Sequence, residues 1–482
     1  MSPLIGRFLK CLLLITALLG ALNSASERPN IILLMADDLG WGDVGFNGGE
    51  IIQTPHLDAM AAAGLKFNRF YAAAPVCSPT RGSCLTGRHP YRYGIPFANE
   101  GHLKEGERTL AEVLKGQGYR TGHFGKWHLG TLSPDYSGKK GRGGLEHYAT
   151  PGMNGFDEWF STEFAVATWD PYDPANSHLG KDVPFDTRAL YWHNGVNVEG
   201  GLEGDDSRII MDKAIPFIED SVARSKPFFS VIWFHAPHNP VVAGPEYRAR
   251  YGQYDEDAQH YYGCVTALDE QVGRLRATLR TLGVAENTMV FFCADNGPEG
   301  DVAGGRNQGS SGPFHGRKRS LFEGGIRVPG LLEWPAGVKP GTATDYAAVT
   351  SDYLPTILDV LGIERIDQRP LDGESLLPLI RGKRTIRSSP IAFETKGGAG
   401  EMLSRNSPHV ALIEERFKLL TDFSEDGEED LLYDLLEDPG ETRNLAGTRQ
   451  DHVSRMKSIL STWRASCARS DSGADYERIG GK

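Results

Sequence analysis

Two acidic pairs occupy matching positions. Asp37 and Asp38 follow the apolar run 31–36 and precede Leu39 and Gly40, while Asp295 and Asn296 follow the run 289–294 and precede Gly297. Within a regular strand, adjacent side chains point to opposite faces, so both members of a pair converge only where the chain leaves the sheet. Three carboxylates and one carboxamide form an all-oxygen set suited to a hard cation such as Ca²⁺ or Mg²⁺. Such pairs beside glycine also make ordinary turns, and the residues alone leave both readings open. A third stretch, Cys77-Ser78-Pro79-Thr80-Arg81, reads as a helix start capped by Ser78, with Pro79 first, where its missing N–H costs nothing. Cys77 then lies just outside the positive helix end, where anions are favoured, and Arg81 can reach back from one turn further. A helix start with a buried, inert cysteine fits the same five residues.

The elements that must position these groups follow from the hydrophobic pattern. Apolar runs at 31–36, 228–234 and 289–294 are predicted strands, and helix-period positions recur over 58–65, 110–117, 209–221 and 261–282. Alternation over about 350 residues implies an α/β fold, a large and mostly parallel sheet flanked by helices. Functional residues of such sheets gather beyond the carboxyl ends of the strands. From about residue 384 the pattern changes to short strands at 390–394, 410–414, 417–420 and 431–433, then a helix over 452–468. The expected organisation is a catalytic α/β domain at 27–384 and a smaller C-terminal α+β domain at 385–482. The glycine-rich stretch 297–325 is expected to be a long functional loop.

Residues 1–26 read as a signal peptide: Arg7 and Lys10, an apolar run from Cys11 to Leu22, then Ser24, Ala25 and Ser26. The run is about 12 residues, short of the ~20 that span a bilayer, and no other stretch serves as a transmembrane anchor. The mature chain is therefore expected to be secreted, periplasmic or lumenal. The formal charge of −12 falls to about −14 on losing Arg7 and Lys10. An acidic chain excludes bulk-charge binding of nucleic acid. Six cysteines occur, and loss of Cys11 leaves five, an odd number that points to a free or chemically special thiol.

The cysteine motif extends further, as Cys77-x-Pro79-x-Arg81-x-x-x-Leu85-Thr86-Gly87. This pattern resembles the formylglycine-dependent sulfatases of the alkaline phosphatase superfamily. The resemblance is carried also by Asn30 to Gly42 and by Gly122-His-Phe-Gly-Lys126-Trp-His128-Leu-Gly130. It continues in Phe234-His235-Ala-Pro-His238-Asn-Pro240, Ala294-Asp-Asn-Gly297, Gly312 to Pro329 around Lys318, and Leu432 to Leu445. It covers residues 28–465.

The resemblance implies hydrolysis of a sulfate monoester, on a sulfated small molecule or, from the expected secretion and the aromatics Trp159, Trp169, Tyr172, Tyr191 and Trp192, on a carbohydrate. It implies one bound Ca²⁺ held by Asp37, Asp38, Asp295, Asn296 and the residue at position 77. It also implies conversion of Cys77 to formylglycine by a partner, a formylglycine-generating or an anaerobic sulfatase-maturating enzyme. The hydrated aldehyde supplies one hydroxyl to attack sulfur and a second that allows sulfate to be eliminated. Arg81 and Lys126 match the residues that hold this nucleophile, and His128 the base of the elimination step. His238 and Lys318 match those that bind sulfate and assist the leaving alcohol. An extended segment would present Lys126 and His128 on one side. His235 reads equally as structural, and Arg317 and Arg319 read as a solvated charge run. One departure is the segment 160–170, where several relatives carry a sulfate-contacting serine that has no clear counterpart here. The same motifs leave two other readings: a phosphodiesterase or phosphonate monoester hydrolase of the same superfamily, and a catalytically inactive sulfated-glycan-binding protein.

Overall fold

The structure, a computed structural model, describes residues 28–135, 143–176, 191–365, 369–396, 407–423 and 430–476. The expected signal peptide lies outside them. In chain order the strands are β1 (Asn30–Ala36), β2 (Leu65–Phe67), β3 (Phe70–Tyr71), β4 (Arg120–Lys126), β5 (Glu158–Thr162), β6 (Trp192–His193), β7 (Val196–Asn197), β8 (Phe228–Trp233) and β9 (Thr288–Ala294). They continue as β10 (Arg327–Val328), β11 (Gly330–Glu333), β12 (Thr342–Thr344), β13 (Ala348–Val349), β14 (Ile391–Glu394), β15 (Val410–Glu414), β16 (Phe417–Thr421) and β17 (Leu431–Asp434).

The large sheet has the order β12-β2-β11-β9-β1-β8-β4-β5-β6-β7. Its centre, from β9 through β1, β8 and β4 to β5, is parallel. β11 joins it antiparallel to β9, and β6 antiparallel to β5, so the sheet is mixed. The three long apolar runs of the sequence are three neighbouring strands of that parallel centre. Burial on both faces is what makes them continuously hydrophobic rather than alternating. β10, β3 and β13 make a three-stranded sheet, and β14 to β17 form a separate antiparallel meander.

The helix expected at 110–117 starts at Leu110 as read from the sequence, while others shift at their starts. Helix Asp206–Ala223 begins before residue 209 because Asp205 accepts the Arg208 backbone N–H at 2.9 Å, and Glu256–Thr281 before residue 261 because Asp255 accepts from Ala258 at 2.9 Å. Polar first turns carry no hydrophobic period, so the pattern misses them. The helix expected at 58–65 is Pro55–Ala63, and Leu65 opens β2. Helix Cys77–Thr86 corrects a further expectation. Val76 is its N-cap and Cys77 its first residue; Ser78 lies inside the helix, where its hydroxyl makes no cap bond. All ten residues of this helix are buried.

The four-stranded meander lies under helix Gln450–Asp471, with Val453, Met456 and Leu460 packed on Val410, Leu412, Leu419 and Leu432. Of the expected sugar-stacking aromatics, Trp159 and Tyr191 are buried core residues, with Tyr191 stacked on Phe160 at 4.3 Å. All five described cysteines are free and buried, so an odd count singles out no thiol here. No helix among the described residues is long and apolar enough to cross a membrane.

Candidate active site

β1 ends at Ala36, and Asp38 takes a left-handed conformation (φ 63°), which turns the chain off the sheet edge. The neighbouring β9 ends in register: the Asp295 N–H donates to Ala36 O at 3.2 Å. The two acidic pairs are tied directly to each other. The Asp38 N–H donates to Asp295 Oδ1 at 3.1 Å, and Asn296 Nδ2 donates to Asp38 Oδ1 at 2.7 Å. Asp37 Oδ1 and Asn296 Oδ1 are buried oxygens that accept no hydrogen bond in the structure. Buried acceptors of this kind need a partner, and two oxygens at adjoining strand ends fit a hard cation. Asp37, Asp38, Cys77 and His238 each offer a ligand atom, all within 4.8 Å of one another.

Cations of the chain close around the same point. Arg81 Nη2 lies 2.6 Å from Asp295 Oδ2 and 3.2 Å from Asp37 Oδ2, and Arg81 Nη1 donates to Lys126 O at 3.2 Å. Lys126, the last residue of β4, places Nζ 2.6 Å from Asp37 Oδ2. Lys318 Nζ lies 2.7 Å from Asp38 and 3.2 Å from Glu299. His238 donates from Nδ1 to Asn239 O at 2.7 Å and brings Nε2 to 3.6 Å from Asp38 Oδ2. Burial pushes the His238 ring down to about 4, despite the opposing charges of Asp38 and Asp37. Asp37 is lowered as well, but toward its charged form. Its burial raises the carboxyl, but Lys126, His238, Arg81 and Lys318 together hold it well below the usual carboxylate range. Cys77, 2% exposed, has its thiol pushed up by burial.

Four carboxylates (Asp37, Asp38, Asp295, Glu299) thus face four cations (Arg81, Lys126, Lys318, Arg319). A divalent ion added to this balanced set leaves a net positive cleft, the sign an anionic substrate requires.

Glu299 was not picked out from the sequence. Its carboxylate takes Arg319 at 2.5 and 2.8 Å and Lys318 at 3.2 Å, while its carbonyl takes Arg317 at 2.8 Å. Arg317 and Arg319 are therefore not a solvated run. The signal was an acid two residues past the Asn296-Gly297 turn, at the mouth of the glycine-rich loop. Lys318 and Arg319 hold Glu299 well below its ordinary value, against the burial that raises it.

Two other expectations change. His128 is left-handed (φ 59°), so Lys126 and His128 do not share one face of an extended segment. Instead the His128 ring is set by a hydrogen bond of 3.0 Å between Nε2 and Asn99 Oδ1. His235 is structural: its ring bridges Asp206 Oδ2 and Thr162 Oγ1, each at 2.7 Å, and is fully buried. In the departing segment, Ser161 is buried in β5 and bonded to His123 at 2.7 Å, so it faces no substrate.

A cluster of buried carboxylates, the helix-start Cys77 and paired cations beyond the carboxyl ends of a mixed sheet match an alkaline-phosphatase-like fold. Residues 29–363 match the family model described as Sulfatase, and 311–465 the one described as N-sulphoglucosamine sulphohydrolase, C-terminal. The chain belongs to the sulfatase family and is a sulfuric ester hydrolase. It is 35% identical over 411 residues to N-acetylgalactosamine-6-sulfatase of Sus scrofa, covering 78% of this chain and 71% of that protein. Arylsulfatase A of Bos taurus is 32% identical over 462 residues, covering 89% and 86%. The crystal structure of Ps i-CgsB in complex with k-i-k-neocarrahexaose superposes with a TM-score of 0.77 at 25% identity, covering 94% of this chain and 99% of that one.

Proposed function

We propose that the protein hydrolyses a sulfate monoester on a sulfated carbohydrate, with Cys77 converted to formylglycine and one Ca²⁺ bound. The observation that carries this is the meeting of Asp37, Asp38, Cys77 and His238 within 4.8 Å, enclosed by Arg81, Lys126 and Lys318. Asp37, Asp38, Asp295, Asn296 and position 77 would hold the cation, which supplies charge to the nucleophile and to the sulfate oxygens. Arg81 and Lys126 orient position 77. Lys318 and His238 bind the sulfate and deliver a proton to the leaving oxygen, and His128 takes the proton that releases sulfate.

A carbohydrate substrate is supported by the relatives, one named for N-acetylgalactosamine-6-sulfate and one crystallised with a neocarrahexaose. The buried Trp159 and Tyr191 give it no support. Against a two-metal phosphate hydrolase stand Lys126 beside Asp37 and Lys318 beside Asp38, side-chain cations in the places a second metal would take. Against an inactive glycan-binding protein stands the presence of every proposed catalytic position. The signal peptide at 1–26, export from the cytoplasm, the catalytic body at 27–384, the small domain at 385–482 and a maturase partner belong to the same reading.

The deciding experiment is the mass of the tryptic peptide 70–81 from protein of the natural host. Conversion of thiol to aldehyde lowers it by about 18 Da. Such a peptide, together with release of inorganic sulfate from a sulfated N-acetylgalactosamine oligosaccharide, is the expected outcome. An unmodified Cys77 throughout would overturn the mechanism in favour of glycan binding.

A further inference from the structure

Among the described residues, the antiparallel meander supplies no side chain to the site above, yet it reaches the loop that carries Lys318. Lys418, on β16, has Nζ 2.9 Å from Glu323 Oε1 and 2.9 Å from Glu441 Oε1, and all three side chains have no exposed surface. Glu441 accepts the backbone N–H of Glu323 at 2.7 Å. The other oxygen of Glu323 takes the Tyr71 hydroxyl at 3.0 Å and Arg327 Nη1 at 3.2 Å. Two stretches that the proposed chemistry leaves unused, Ser320 to Pro329 and Leu432 to Leu445, therefore meet on one buried lysine. Burial alone would lower the Lys418 ammonium, but Glu323 and Glu441 keep it raised and charged.

What Glu323 anchors lies next to the chemistry. The Gly324 N–H donates to His315 O at 2.6 Å, the Gly297 N–H to Gly325 O at 2.9 Å, and the Lys318 N–H to Pro298 O at 3.1 Å. The Arg319 N–H reaches Pro75 O at 2.8 Å, two residues before Cys77. A second tie comes from beyond residue 384, where Ser407 Oγ accepts the Leu321 N–H at 3.1 Å. There is no slack in this packing. A Cβ at Gly297 would collide with Gly324 O, and one at Gly325 with the carbonyls of Ser320 and Arg317. Backbone touching backbone passes any shift of 323–325 directly to 296–298 and 315–320.

We propose that Lys418 and Glu441 are positioning residues: the small domain holds Glu323 and, through it, sets where Lys318 and Asn296 stand. This rests on the reading of Lys318 as a sulfate-binding residue. A buried ion pair gains little net stability over apolar residues of equal volume, so its contribution here is geometric. Small displacements of catalytic groups carry large rate penalties.

The test compares Lys418→Met, Lys418→Arg and Glu441→Gln with the unaltered chain, using turnover of 4-nitrophenyl sulfate and hydrogen exchange of residues 315–325. Lys418→Met is expected to lower kcat about 10- to 100-fold and to speed exchange in 315–325. KM should rise as well, because the lysine that the contact sets in place binds the sulfate. Lys418→Arg should recover most of kcat. Glu441→Gln keeps the Lys418–Glu323 pair and should show a smaller fall of the same kind; it decides alone if Lys418→Met does not fold. Unchanged kcat and unchanged exchange in a folded variant overturn the proposal. Loss of protection spread evenly over the molecule, with no effect of its own on 315–325, also overturns it. If the unaltered protein cleaves no sulfate ester, the functional reading fails, and the exchange comparison still decides whether the small domain sets the loop.

Discussion

Lys126 Nζ and Asp37 Oδ2 stand 2.6 Å apart although their strands are not neighbours, since β8 runs between β1 and β4. Two strand spacings amount to about 9.5 Å, a gap closed by the Lys126 and Asp37 side chains reaching toward each other. Arg81 arrives at the same oxygen from the helix beginning at Cys77. Asp37 thus spends Oδ2 on two cations and keeps Oδ1 for a third partner.

Removing Lys126 leaves the buried Asp37 with Arg81 alone at that oxygen. Lys126→Met is expected to cost about 3–5 kcal/mol of stability, measured by urea unfolding. It should also lower kcat by about 100-fold or more. The double variant Lys126→Met with Asp37→Asn should regain part of the stability and none of the activity. Recovery of activity would show that the pair is only structural.

Calcium should act on stability as well as on rate. After chelation the protein is expected to lose turnover, and calcium at about 100 times its Kd should return about 2.7 kcal/mol of stability as a raised Tm. Asp37→Asn and Asn296→Ala should lose this response. A Tm that ignores calcium in the unaltered protein would remove the metal assignment.

Glu299 holds Lys318 and Arg319 together, so its charge matters more than its size. Glu299→Gln is expected to lower kcat about 10-fold or more while the fold persists, checked by steady-state kinetics and circular dichroism. Glu299→Asp should fall between the two, because the charge remains but the reach shortens. Normal kinetics in Glu299→Gln would show that Lys318 needs no such support.

His89 offers a pH test away from the metal ligands. Burial pushes its ring from 6.5 down to about 3, with Asp372 opposing and Arg92 assisting. The folded ring stays neutral while the unfolded one takes up a proton below about 6.5, so the unfolded state binds more protons in that window. Stability from this residue is complete above pH 6.5 and is lost as pH falls toward 3, by up to about 1.4 kcal/mol per pH unit. Unfolding free energies of the unaltered protein and of His89→Gln, compared between pH 7.5 and 5, should converge as pH drops. Parallel curves would assign the slope to other groups.

Much of this was legible in the chain itself. The three apolar runs announced β1, β8 and β9, because strands buried on both faces must be continuously hydrophobic. The acidic pairs at the ends of β1 and β9 announced a site, because parallel neighbours in register bring equivalent positions together. Helix starts were less legible, since Asp205 and Asp255 act by hydrogen bonding and leave no apolar period. What tertiary structure alone decided are contacts between residues far apart in the chain and close in space. Glu299 meets Lys318, Asn99 meets His128, and Lys418 meets Glu323 and Glu441. Beyond the turn that precedes Glu299, none has a local signature, because a charged residue's sequence neighbours do not say whether it meets water or a buried partner. Spacing also misled at His128, where one left-handed residue cancels the two-residue repeat of a strand. Sequence alone determined the central strands and the donor types at their ends; tertiary structure decided which charges those donors meet, because Coulombic pairing depends on distance through space.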